Sequence, residues 1–164
     1  MRIMKLSQGV EWALHCTVAL AQSRAQAPVS RRTLAGYFDL PEAYLAKHLK
    51  SLVQAGVLTA TSGPRGGFRL ARPASGITAL DIVEAIEGTL PPFVCTEIRQ
   101  RGECAVPPEK CTGPCPVAKV MYDADRAWRD HLRSVTVAGL VDRLPPWSHS
   151  HAGTPTEADA STVL

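Results

Sequence analysis

The chain has 164 residues, of which 45% are hydrophobic and 20% are charged, and its formal net charge at pH 7 is +3. This length suits a single domain of ordinary size. No apolar run approaches the roughly 20 residues that a membrane-spanning helix needs, and the first residues lack the hydrophobic stretch and cleavage site of a signal peptide. We therefore expect a cytoplasmic protein with no membrane partner.

Charge divides the chain into two unequal parts. Residues 1–75 hold ten Lys or Arg against three Asp or Glu, a net of +7, whereas residues 76–164 hold eight against twelve, a net of −4. A basic region is where the phosphates of nucleic acid are expected to bind. We predict a DNA-binding region in 1–75, a second region of the same domain in 76–144, and a disordered tail rich in Ser, His, Thr and Ala in 145–164.

The first predicted element is a helix from residue 5 to about residue 21, where apolar residues recur at helical spacing. Glu11 and His15 are four residues apart, so both project from one face of this helix and could reach one metal ion. Alone, each is more often a solvated carboxylate or a hydrogen-bonded core histidine. Cys16 faces elsewhere and is expected to be a small buried hydrophobe rather than a ligand.

Two short helices joined by a tight turn are predicted next. Ser30–Phe38 forms a capped helix that Asp39–Leu40 interrupts, and Pro41 starts a further helix that Gly56 ends. This arrangement is typical of a helix-turn-helix, in which the second helix enters the major groove of DNA.

A β-hairpin is predicted directly after the helix-turn-helix. Val57–Thr61 and Gly67–Arg72 resemble strands and flank the turn residues Ser62–Gly66. The fold class is therefore mainly α with a small β-hairpin, a winged helix-turn-helix with a long C-terminal helix. As an ordered set, the polar and charged side chains of these elements favour DNA contact, although any one of them alone would be ordinary solvated surface. The candidates are Arg31, Glu42, Tyr44, Lys47, His48, Lys50, Arg65 and Arg69.

After a short helix over Thr78–Gly88, four cysteines lie in a 21-residue stretch rich in Pro and Gly: Cys95, Cys104, Cys111 and Cys115. In a reducing cytosol, clustered cysteines are more often metal ligands or redox-active thiols than structural disulfides. We expect a bound ion or cluster to organise this loop. Because Cys115 precedes Pro116, its sulfur should lie near the positive end of the next helix, which favours the thiolate.

The last long element is a helix over 116–133, followed by a helical turn that Thr136 caps. Its apolar residues recur at three- and four-residue intervals and form a stripe that could pack against a second copy of the chain. The stripe consists of Val117, Val120, Met121, Ala124, Trp128 and Leu132.

From about residue 4 to residue 142, the chain resembles the winged-helix family of bacterial iron-sulfur regulators that includes IscR, NsrR and RsrR. The resemblance rests on Met4–Ser7, Tyr44–Lys47, the wing Gly63–Leu70 and the cysteine loop. Each motif is short, but their combination is specific. The resemblance implies a homodimeric regulator, here a repressor, that binds double-stranded operator DNA. The resemblance also implies that the protein is not an enzyme and has no small-molecule substrate.

Within that family, three segments resemble the redox-sensing repressor RsrR: Gly9–Cys16, Phe93–Gln100 and Lys110–Pro116. This resemblance implies a 2Fe-2S cluster held across the dimer interface. Cys111 and Cys115 of one subunit would bind one iron, and Glu11 and His15 of the other subunit would bind the second. Trp12 would pass the redox state of the cluster to the DNA-binding helices, with the oxidised form repressing and the reduced form releasing DNA.

Other assignments remain open for the cysteines. Cys95, Cys104 and Cys111 have a spacing close to that by which other family members hold a cluster, which would suit a 4Fe-4S sensor of nitric oxide or iron with an N-terminal acidic ligand. A redox-silent zinc site in a DNA-binding protein is a second alternative. A thiol oxidoreductase using Cys111 and Cys115 is less favoured, because their spacing is CxxxC rather than CxxC and no thioredoxin-like βαβ pattern surrounds them.

Overall fold

The computed structural model describes residues 6–23 and 27–145. The predicted tail beyond residue 145 and the predicted start of the first helix at residue 5 lie outside these ranges. The described residues form six α-helices and one antiparallel hairpin, which confirms the predicted fold class. In chain order these are α1 Gln8–Gln22, α2 Arg31–Tyr37, α3 Glu42–Gln54, β1 Leu58–Thr61, β2 Gly67–Leu70, α4 Ala79–Glu87, α5 Pro116–Ser134 and α6 Val137–Asp142.

Local capping explains where the shorter helices begin. The side chain of Thr78 accepts a hydrogen bond from the backbone N–H of Asp81, and the Asp81 carboxylate accepts one from the backbone N–H of Thr78, a reciprocal capping box at the start of α4. Thr136 caps α6 in the predicted way, accepting from the backbone N–H of Gly139 at 3.1 Å. Ser7 precedes α1 without a side-chain cap, and its backbone N–H instead donates to Glu87 at 2.8 Å.

The core joins α1, α3 and α4 with α6 and the base of the hairpin. In α3, Leu45, Leu49 and Leu52 are fully buried, because their spacing of four and three residues places them on one side of the helix. Burial of each such side chain contributes about 1.5–3 kcal/mol. Cys16 is also fully buried, and burial raises the pKa of its thiol to about 12, which confirms it as a core residue.

The hairpin forms the predicted wing. Its strands pair from Leu58 opposite Leu70 to Thr61 opposite Gly67. Val29, just before α2, forms an isolated antiparallel bridge with Phe68 of β2. The two residues exchange backbone hydrogen bonds of 2.8 and 2.9 Å. This pairing attaches the wing to the helix-turn-helix.

A polar face attaches α5 to α4. Arg129 donates to Glu84 at 2.5 Å, to Asp125 at 2.9 Å and to the carbonyl oxygen of Thr89 at 3.2 Å. Ala118, two helical turns before Asp125 on the same side, is 2% exposed. The face of α5 that contacts the rest of the chain therefore includes a small residue and an ion-pair network.

The first half of the apolar stripe of α5 is exposed, whereas Trp128 and Leu132 in its second half are partly buried. Val117 is 68% exposed, Val120 67% and Met121 39%. Val117 and Val120 are therefore largely uncovered by the rest of residues 6–23 and 27–145. No helix in those ranges is long and apolar enough to span a membrane.

Candidate metal centre and nucleic-acid interface

The cysteine loop between α4 and α5 contains only two single 3-10 turns, at Ile98–Gln100 and Pro108–Lys110. Hydrogen bonds from Arg99 connect the two ends of this loop. The Nε atom of Arg99 donates to Oε2 of Glu97 at 2.8 Å, and its Nη2 atom donates to the carbonyl oxygen of Gly113 at 2.8 Å. The backbone carbonyl of Arg99 accepts from the N–H of Val106 at 2.8 Å. One arginine thus connects the beginning, the middle and the end of the loop.

Cys115 lies at the N-terminal end of α5, where Pro116 occupies the first turn. The pKa of its thiol is lowered, chiefly because the backbone N–H of Ala118 donates to the sulfur. Smaller contributions come from the N–H of Val117, the thiol of Cys95 and the positive charge of Arg99, while burial acts in the opposite direction. The direction agrees with the expectation drawn from Pro116, since helix N-termini favour anionic groups.

The other three cysteines differ in their surroundings. Cys95 is half-buried and donates to Oε1 of Glu97 at 3.8 Å. Cys111 is half-buried and lies near enough to Arg99 for their charges to interact. Cys104 is exposed, and within the described ranges its side chain has no hydrogen-bond partner. The loop therefore brings Cys95, Cys111 and Cys115 towards Arg99 and leaves Cys104 in solvent.

Glu97 adopts an unusual backbone conformation at this site, with φ at 51°. The left-handed region costs a residue with a side chain about 1–2 kcal/mol. This conformation accompanies the placement of the Glu97 carboxylate between the thiol of Cys95 and the guanidinium of Arg99. The hydrogen bond to Glu97 is also the largest reason why the pKa of Arg99 is raised.

Glu11 and His15 lie on the exposed face of α1, one helical turn apart. They border an open groove of about 870 Å³ together with the apolar side chains of Leu6, Val10 and Leu14. Within residues 6–23 and 27–145 of one chain, no three or more His, Cys, Asp or Glu side chains are grouped closely enough to hold a metal ion. One chain thus offers separate partial donor sets, a carboxylate with an imidazole on α1 and thiols in the cysteine loop.

Trp12, between those two residues on α1, contacts the recognition helix. Its ring lies edge-to-face against His48 of α3, with 5.8 Å between ring centroids. Gly9 lies under the same imidazole, where a Cβ atom would come within 2.3 Å of Cε1 of His48. His15 contacts Phe38, at the turn of the helix-turn-helix, with ring centroids 5.5 Å apart. The candidate ligand helix therefore touches both parts of the DNA-binding motif.

This packing involves His48, one of the residues predicted to contact DNA. The His48 ring is half-buried against α1 and is occupied by its contacts with Gly9 and Trp12. Glu42 is also engaged, because its carboxylate accepts a hydrogen bond from Nε of Arg31 at 2.9 Å, joining α2 to α3.

The remaining predicted DNA-binding residues are open to solvent. Tyr44 is 70% exposed on the outer side of α3. Lys47 and Lys50 follow it at three-residue intervals, and both are exposed. On the wing, Arg65 at the tip and Arg69 in β2 are exposed as well. Together they provide one aromatic ring and four positive charges across α3 and the wing, a composition suited to phosphate and base-edge contacts.

Two residues of the site were missed from the sequence, Glu97 and Arg99. Their signal was present: an acidic and a basic residue two positions apart, inside a loop that holds four cysteines. An arginine there is a candidate counter-charge for thiolates, since guanidinium groups stabilise nearby anions.

Comparison with known families matches residues 6–143 to Rrf2, described as iron-dependent transcriptional regulator. The protein rrf2 of Nitratidesulfovibrio vulgaris is 32% identical over 138 residues, which cover 84% of this chain and 87% of that protein. The HTH-type transcriptional regulator IscR of Cereibacter sphaeroides is 38% identical over 89 residues, 53% of this chain and 57% of IscR. Among solved structures, CymR of B. subtilis, named the global cysteine regulator, is similar with a TM-score of 0.67 at 24% identity, covering 87% of this chain and 100% of CymR. The similarity to CymR concerns the fold.

Proposed function

Because this chain belongs to the Rrf2 family of transcriptional regulators, we propose that it is a homodimeric cytoplasmic repressor whose operator affinity depends on the redox state of a 2Fe-2S cluster. The RsrR-like ligand set is the finer part of this proposal. The observation that carries it is the division of the donors, with Glu11 and His15 facing outward on α1 and the thiols gathered in the cysteine loop. Two copies of the chain would unite the two halves.

The donor chemistry fits the cluster. Cys115, whose pKa is lowered at the N-terminal end of α5, is suited to bind iron as a thiolate, with half-buried Cys111 as its companion. Glu11 and His15 supply a carboxylate oxygen and an imidazole nitrogen from one helix face. When bound, a 2Fe-2S cluster supplies reversible one-electron chemistry, and imidazole ligation raises its reduction potential above that of an all-cysteine cluster.

The exposed stripe of α5 supports the proposed dimer. Val117 and Val120 are more than 60% exposed. Exposed apolar patches of this kind commonly mark protein interaction sites. An isologous pairing of two such stripes would bury the apolar side chains of both. It would also bring the cysteine loop of one subunit towards the partner.

A direct contact path supports the proposed switching. Glu11, Trp12 and His15 share α1, and Trp12 presses on His48 of the recognition helix. A change in the position of α1 at its two ligand residues would therefore shift α3 relative to the wing. Operator binding by a dimer is sensitive to such shifts, because the two recognition helices must match half-sites about one DNA turn apart.

Anaerobic purification tests the cofactor. We expect coloured protein that contains iron and acid-labile sulfide, with an electron paramagnetic resonance signal that appears after mild reduction. Colourless protein with stoichiometric zinc would instead support the zinc-stabilised alternative. A 4Fe-4S spectrum would support the nitric oxide or iron sensor.

Operator binding tests the switch. We expect gel-shift titrations to give tighter binding for the oxidised protein than for the reduced protein. The Trp12→Ala variant should retain the cluster and bind DNA with an affinity that depends less on redox state. Equal affinities of wild-type protein in both states would contradict the mechanism.

A further inference from the structure

The roles proposed above leave out Arg99 and Glu97, although both contact the cysteine loop. We propose that Arg99 is a positioning residue of the cluster site, which holds the thiolate-bearing end of the loop in place and raises the reduction potential of the bound cluster by its fixed positive charge. The carboxylate of Glu97 partly neutralises the charge of Arg99. This inference rests on the proposed 2Fe-2S function and concerns how the redox set point is chosen.

The positioning part follows from the hydrogen bonds of Arg99. Gly113 lies between Cys111 and Cys115, and its carbonyl oxygen accepts from Nη2 of Arg99 at 2.8 Å. The Nε atom of the same guanidinium donates to Oε2 of Glu97 at 2.8 Å. The segment from Cys111 to Cys115 has no regular secondary structure of its own, so this bond is a principal restraint on the spacing of its two thiols.

The electrostatic part follows from burial and from charge. The Arg99 side chain is only 23% exposed, so solvent screens its charge incompletely. Both proposed cysteine ligands lie within range of that charge. Reduction of a cluster adds one negative charge, which a fixed cation stabilises more than it stabilises the oxidised form. Arg99 therefore favours the reduced state.

Replacement of Glu97 should change the reduction potential in the direction opposite to replacement of Arg99. The Glu97 carboxylate pairs with Arg99 and adds a negative charge to the same site. Replacing Arg99 by a neutral residue should make reduction harder, whereas replacing Glu97 by Gln should make it easier. A loss of structure alone would not move the potential in opposite directions.

The experiment uses anaerobically purified dimer carrying its cluster, equilibrated at one fixed ambient potential. We expect Arg99→Gln to lower the ratio of reduced to oxidised cluster about tenfold, which is ~59 mV for a one-electron couple. Glu97→Gln should raise the ratio, and Arg99→Lys, which keeps the charge, should stay near wild type. Arg101→Gln is the matched control, because it removes an exposed arginine two residues away.

Hydrogen exchange of the protein without cluster tests the positioning part separately. Amides in 95–115, including the Val106 N–H bonded to Arg99, should exchange faster in Arg99→Gln and unchanged in Arg101→Gln. A reduced-to-oxidised ratio and an exchange rate in Arg99→Gln that both match the Arg101→Gln control would overturn the inference while the proposed function stands. Wild-type protein that binds no iron would overturn the proposed function and the electrostatic part with it.

Discussion

The imidazole of His48 lies in the contact between α1 and α3, beside Trp12 and above Gly9. Its pKa is lowered from 6.5, first because burial disfavours the charged ring and second because Lys47 is positive, while Glu87 acts in the opposite direction. The neutral ring is therefore the form that the folded protein prefers. This contact joins the proposed ligand helix to the recognition helix through an uncharged side chain.

Acidification should weaken this contact. Since the pKa of His48 is lower in the folded chain than its ordinary 6.5, the unfolded chain takes up the proton first as pH falls. The stabilisation by neutral His48 is complete above about pH 6.5 and is lost as pH falls through the folded-state pKa. We expect the thermal midpoint of wild type to fall more steeply between pH 7.5 and 5 than that of His48→Gln. Parallel curves would refute this role, because the other histidines are common to both proteins.

The cysteines of the loop also differ in their exposure and in their distance from Arg99. Cys104 is exposed and lies outside the group around Arg99, whereas Cys111 is half-buried beside it. We expect Cys104→Ser to keep the wild-type iron and sulfide content and Cys111→Ser to lose most of it. Chemical analysis of both variants, purified side by side without oxygen, checks this. Loss of iron in Cys104→Ser would favour the three-cysteine 4Fe-4S assignment instead.

At the level of helices and strands, the proposed redox signal passes from α1 to α3, and the two helices are in tight contact at Gly9. A methyl group there would come within 2.3 Å of the His48 ring. The ring would have to leave its place against Trp12, and overpacking of this kind costs about 1–3 kcal/mol. We therefore expect Gly9→Ala to lower the free energy of unfolding in urea titrations by that amount, less the about 0.5–1 kcal/mol by which Ala is favoured over Gly in a helix.

Gly36 in α2 offers a matched control, because a Cβ atom there meets nothing within 4 Å. Ala at this helical position should stabilise the protein by about 0.5–1 kcal/mol. If both Gly→Ala variants were equally stable, the tight contact between α1 and α3 would be disproved.

Helical and strand elements were predictable where the pattern is local. Thr78 and Thr136 identified helix starts that the structure confirms, and the turn residues of the wing identified the hairpin. Ser7 is the N-cap residue of α1, but its side chain forms no cap and its backbone N–H binds Glu87, 80 residues away in sequence, a contact that no local pattern predicts. The orientation of His48 was equally inaccessible, since it depends on a glycine in another helix.

At the scale of the whole molecule, α5 uses two faces for two purposes. Its polar face, with Arg129 and Asp125, binds α4, and Val117 and Val120 of its apolar stripe remain open. The periodicity of the sequence predicted the apolar stripe. It could not predict that α4 would be bound by the other face, because the Arg129 network depends on Glu84, 45 residues earlier.

A charge placed in the open stripe should separate the proposed dimer. Burial of an unpaired carboxylate costs about 3 kcal/mol or more, which weakens association by roughly a hundredfold. We expect Val120→Glu to sediment as a monomer at concentrations where wild type is dimeric, with α-helical content unchanged. Arg126→Glu, on the opposite side of α5, should remain dimeric. Dimeric Val120→Glu protein would place the interface elsewhere.

The division of ligands between subunits is tested most directly with mixed dimers. One subunit carries Glu11→Ala and His15→Ala, and the other carries Cys111→Ala and Cys115→Ala. Only a heterodimer with ligands shared across a two-fold interface regains one complete site, so it should hold about half the iron of wild type. Both parent homodimers should lack the cluster. Mixed dimers without iron, or a Glu11→Ala, His15→Ala homodimer that keeps the full wild-type cluster, would contradict the shared site.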